Sequence, residues 1–153
     1  MEFGLARMTA APVKGTLNGK PVELCPLTLG DWGKIEQHMR QQIMSAAASA
    51  CIGIPPDRAR IVMREAHKEA ASTSIASEDA KAGLFASMGT MLIIVQLSMS
   101  KHNPAMSLAV VEEMIGSDFE ALAKMAEVIF DISFPGMDKT DLKNPLPGQE
   151  VKQ

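Results

Sequence analysis

Residues 82–100, AGLFASMGTMLIIVQLSMS, run for nineteen positions without a charged side chain. A segment this apolar on nearly every side must be covered, and two arrangements cover it. One is a bilayer, which takes about 20 apolar residues per helix. The other is a ring of other helices. Ser87, Thr90, Gln96, Ser98 and Ser100 dilute the run, and neither an aromatic belt nor a basic flank frames it. We therefore read it as a buried core helix, so the rest of the chain has to supply amphipathic elements that enclose it.

The flanking sequence supplies them. Residues 13–25 read as a β-hairpin, because Asn18-Gly19 is a two-residue turn whose positions both tolerate positive φ. Pro21 fits there only at a strand start or edge. Thr28 caps a first helix, with Asp31 three residues on, and Trp32, Ile35, Met39, Ile43, Ala46 and Ala50 form its apolar stripe. Gly53 and Pro55-Pro56 stop it. Pro56-Asp57 opens a second helix with Ala59, Val62, Met63, Ala66 and Ala70 inward. Arg60, Arg64 and Lys68 stack on another of its faces, which reads as solvated because Glu65 and Glu69 lie beside them. Ser77 is placed to cap a third helix, from about Glu78 to Met99, that contains the uncharged run.

The row Lys101-His102-Asn103 looks like chemistry but reads as a joint. Asn103 precedes Pro104 and so disfavours helical geometry, which ends the third helix near His102. Lys101 and His102 then face the free carbonyls of its last turn. Ser107 caps a fourth helix, LAVVEEMI, that Gly116 terminates, and Ser117 with Glu120 makes a capping box for a fifth, from Asp118 to about Ile132. The expected fold is mainly α: about five helices packed around a central apolar helix, with a short N-terminal β-hairpin and a flexible C-terminal tail. Residues 1–12 are a loose start, 13–132 a single domain and 133–153 a proline- and glycine-rich tail.

Function classes narrow mostly by subtraction. The 153 residues suffice for one core. A net charge of −3 gives no general pull toward nucleic acid or an anionic membrane surface. Cys25 and Cys51 form no CxxC pattern, which argues against a disulfide framework or zinc site and suits a reducing compartment. The opening MEFGLARMTAAPV lacks the apolar core of a signal peptide. His38, His67 and His102 fall on polar helix faces or ends, with no HxxxH or HExxH spacing. The pairs Glu78-Asp79 and Glu112-Glu113 point about 100° apart on a helix and do not face each other. Asp138 and Asp141 lack the spacing of a calcium loop. No GxSxG, Walker or GxGxxG motif occurs. The expectation is a non-enzyme with no catalytic residue, metal or cofactor.

Twelve methionines stand beside no tyrosine, one tryptophan and five phenylalanines. They either fill the core in place of aromatics or present a surface that repacks against several partners, and composition leaves both readings open.

Two segments, GTLNGKPVELCPLTLGDWGKIE at 15–36 and LSMSKHNPAMSLAVVEEMIGSDFEALAKMAEVIF at 97–130, together resemble small proteins of bacteriophage and prophage tail modules, the tail assembly chaperones. The likeness covers about a third of the chain. It implies a non-enzymatic protein of the bacterial cytoplasm that binds the long helical tape-measure protein and helps recruit tail-tube subunits. Neither nucleic acid nor membrane is an expected partner. A second reading is a virion component, a tail or head-tail connector protein acting as a symmetric oligomer, with the hairpin pairing edge to edge between subunits. Helix position suggests Met114, Phe119, Leu122, Met125 and Ile129 as a protein-binding face.

Overall fold

The computed structural model describes residues 11–75 and 80–134. Strands β1 (Val13–Leu17) and β2 (Lys20–Leu24) form an antiparallel hairpin. Asn18 (φ 50°) and Gly19 (φ 76°) both take the positive φ that the tight turn demands. Val13, Leu17, Val22 and Leu24 share the inward face and are buried. Pro21 lies opposite Thr16, next to the pair that closes the turn. Pairs at that position exchange no hydrogen bonds, so the missing N–H costs the ladder nothing. The turn itself docks: Asn18 Nδ2 donates to the Met114 carbonyl at 3.0 Å.

Six helices follow among the described residues: α1 (Leu29–Ala50), α2 (Pro56–Ser72), α3 (Ala80–Ala86), α4 (Met88–His102), α5 (Leu108–Ile115) and α6 (Phe119–Ser133). The expected mainly helical fold with one N-terminal hairpin is what the chain adopts. Helix α4 is the hub, packing on α6, α5, β2, α1 and α3. Met91, Ile94, Val95 and Met99 are fully enclosed, with Leu84, Ile35, Val111, Leu122, Met125 and Ile129 in the same cluster. No helix among the described residues is long and apolar enough to cross a membrane.

Between β2 and α1 the chain crosses the core as a strap, held by two serines. Cys25 N–H donates to Ser98 Oγ at 2.8 Å, and that hydroxyl donates to the Cys25 carbonyl at 2.7 Å. Leu27 N–H donates to Ser133 Oγ at 2.9 Å, and Ser133 donates in turn to the Ile129 carbonyl. Buried backbone groups must be paired, and each serine serves both as acceptor from the strap and as donor to a carbonyl. Behind the strap, Trp32 meets Phe130 edge-on at 5.8 Å and Phe134 at 5.2 Å.

Helix α2 packs on α1 and forms with its second half an antiparallel arm. Its seam is small: Ala47, Ala66 and Ala70 are the buried residues along it. At the bend, Cys51 Sγ donates to the Ala59 carbonyl at 3.6 Å, and Gly53 takes φ 79°.

Three boundaries differ from expectation. The single third helix is two, because Ser87 is extended (φ −115°, ψ 119°) and its hydroxyl accepts from Thr90 N–H, starting α4 afresh. Serine competes for backbone partners in this way, and Gly83 and Gly89 on either side weaken a continuous helix further. Gly89 also lies so close to α1 that a Cβ there would sit 3.0 Å from Gln42 Nε2. The cap of α6 is Asp118, accepting from Ala121 N–H at 3.0 Å, one residue past the expected Ser117–Glu120 box. An anionic cap also suits the positive end of the helix. Ser133 and Phe134 belong to α6 and the aromatic cluster, not to a tail. The expected cap Ser77, residues 1–10 of the loose start expected at 1–12, and the tail beyond 134 lie outside the described residues.

Candidate functional site

Lys101 and His102 end α4 as expected, with Asn103 as its C-cap, but they also reach other elements. Lys101 Nζ lies 2.7 Å from Asp31 Oδ2, and His102 Nδ1 lies 3.1 Å from Glu23 Oε2. Asp31 is half of a capping box: its carboxylate accepts from the N–H and hydroxyl of Thr28, and its own N–H donates to Thr28 Oγ1. Burial opposes ionisation of Asp31, yet the bonds from Lys101 and Thr28 outweigh it and hold its carboxyl below the usual range. Burial, with Glu23 nearby, pushes the Cys25 thiol up against the opposing pull of Lys101, so it is a poor nucleophile. The joint ties three elements together: its polar groups are used on one another.

Histidine placement corrects one reading. His67 and His102 are exposed, but His38 is half-buried, and its Nε2 is enclosed without a hydrogen-bond partner. That nitrogen faces the first turn of α4, 3.8 Å from where a Gly89 Cβ would stand. One turn along α1, Gln42 Oε1 accepts from the Ser87 and Thr90 hydroxyls, both at 3.4 Å. Among the described residues, no group of three or more His, Cys, Asp or Glu side chains is placed to hold a metal ion.

Beside Gln42 opens a groove of about 570 Å³ between α1, the end of α2, α3 and the start of α4. Met39, Ile43 and Gly83 contribute apolar surface, while Ser72, Thr73 and Glu69 supply polar groups. Arg40 braces this end by donating to the Thr73 carbonyl at 3.1 Å. A second groove, about 450 Å³, lies between Phe85 of α3 and the outer side of α6, with Ala123, Glu120, Lys124 and Glu127.

The five residues expected to bind a partner do not share a surface. Leu122, Met125 and Ile129 are buried in the core, Met114 packs partly against it, and Phe119 alone is well exposed, at 52%. Their helical spacing marks the face that α6 turns toward α4, so the chain's own core takes them. The methionines divide likewise: Met91, Met99 and Met125 are core, Met39, Met106 and Met114 line its edge, and Met88 is exposed.

Leu29, in the first turn of α1, is 86% exposed, and two further exposed apolar groups on the arm were not singled out from sequence. Ile52 at its bend is 82% exposed and Ile61 on α2 is 58% exposed. A readable signal existed: residues 41–56, QQIMSAAASACIGIPP, contain no charge. No protein-family model, curated protein or solved structure matches the chain.

Proposed function

We propose that the chain is a non-enzymatic holder of another polypeptide: a tail assembly chaperone of the bacterial cytoplasm that binds the tape-measure protein and aids tail-tube assembly. The observation that carries this reading is the groove at the root of the arm. It pairs a pliable apolar floor, Met39 and Ile43, with a rim of hydroxyls and one carboxylate. An amphipathic helix laid in such a groove buries its apolar stripe and keeps its polar edge hydrated. Methionine lets the floor adjust as successive segments pass. Ile52 and the uncharged stretch 41–56 extend the same character toward the tip of the arm. The resemblance of residues 15–36 and 97–130 to tail-module proteins supplies the identity of the occupant.

Co-expression with the tape-measure protein is the test. The wild-type chain is expected to keep it soluble and to be absent from purified particles. Ile43→Lys, on the half-buried groove floor, is expected to lose that effect while retaining the helical circular dichroism spectrum. The second reading, a tail or connector component, is supported by the exposed Arg58, Arg60 and Arg64 on α2 set apart from the six carboxylates of residues 108–134, a separation that suits contacts between copies. It predicts the chain in purified particles at fixed copy number.

A further inference from the structure

We infer that the chain associates head to tail with copies of itself, the outer face of α2 in one copy docking on the groove between α3 and α6 of the next. The two surfaces are complementary in charge. Positions 57, 60, 61, 64 and 68 line the side of α2 opposite its buried Ala66 and Ala70. Arg60 and Arg64 there flank the exposed Ile61, and Arg58 lies nearby. None of these three arginines takes part in an ion pair among the described residues. Residues 108–134 instead hold six carboxylates against the single Lys124. Glu112, Glu113, Glu120 and Asp131 among them make no ion pair with described residues. The groove has an apolar floor of Phe85 and Ala123, which would receive Ile61. Its rim is Glu120 and Glu127 around Lys124, and Arg60 and Arg64 would meet those two carboxylates.

Positive and negative faces on different elements of one chain attract between copies and orient them. Because the two faces differ, each copy uses one and leaves the other open, so the contact propagates into a ring or an open chain and does not stop at a two-fold dimer. Short, charged contacts of this kind are weak and sensitive to salt. The inference does not depend on which polypeptide the groove at the root of the arm holds.

Sedimentation velocity of the full chain tests it. The expected result is a mass that climbs from the 16.4 kDa monomer with concentration, between about 10 and 500 µM, and falls back in roughly 0.5 M salt. Arg60→Glu with Arg64→Glu, and separately Glu120→Arg, should each weaken association at least about tenfold, with unchanged thermal melts because all three side chains are exposed. Mixing the two reversed proteins should restore it, since each then offers the other two complementary faces. A wild-type monomer at every concentration would overturn the inference and leave the basic face of α2 to a different acidic partner. Association indifferent to both reversals, or failure of the mixture to recover it, would overturn it as well.

Discussion

In the body, Ile94, Val95, Met125 and Ile129 interlock with almost no exposure, whereas the arm closes on Ala47, Ala66 and Ala70. The difference is one of buried area. Enclosing a branched or long side chain contributes about 1.5–3 kcal/mol, against roughly 0.8 kcal/mol for one methylene-sized group. The body is further tied by the serine strap and the Asp31–Lys101 pair, while α2 leans on α1. Stability is therefore concentrated around α4, and the arm is left with uncharged and arginine-bearing surface to offer. A region used to hold a partner has to come from the less firmly held end of a fold.

The largest expected effect that sharpens this contrast is in the core. Ile129→Ala should lower unfolding free energy by about 3 kcal/mol in urea titrations with an unchanged slope, because the packed body cannot collapse around the void. Ser98→Ala comes next, at about 2 kcal/mol, since it strands both backbone groups of Cys25 in the interior. Asp31→Asn should cost about 1 kcal/mol at neutral pH. Its pH dependence has a definite sign. The folded carboxyl is held below its usual value, so its contribution is present above about pH 4 and is lost as pH falls through the folded value. Asp31→Asn should flatten that part of the acid limb in urea titrations at stepped pH. Ile61→Ala, out on the arm, is the smallest, within about 0.5 kcal/mol of wild type by thermal melt. A large loss there would break the contrast.

What could be read from the sequence was whatever rests on local chemistry. The Asn18-Gly19 turn, the Thr28–Asp31 box, the Pro56 start, the Asn103-Pro104 stop and the Gly116 end each need only a few neighbouring residues, and each stands where expected. The break at Ser87 involves Gln42 pressing on Gly89 from another helix, which no window along the chain reveals. Ser98 and Ser133 are likewise unremarkable in sequence, because their partners lie 73 and 106 residues away. Most of the expected binding face is buried for a related reason. A regular apolar stripe such as Leu122, Met125 and Ile129 is the signature of a residue set already claimed by the core. The surface left over is irregular, and on the arm its trace is an absence of charge from 41 to 56.

Native-state hydrogen exchange followed amide by amide tests the division between body and arm most directly. Helices α4 and α6 are expected to exchange only through global unfolding, while α2 and the second half of α1 open together at least about 2 kcal/mol below that limit. Protection of α2 equal to that of α4 would contradict that division.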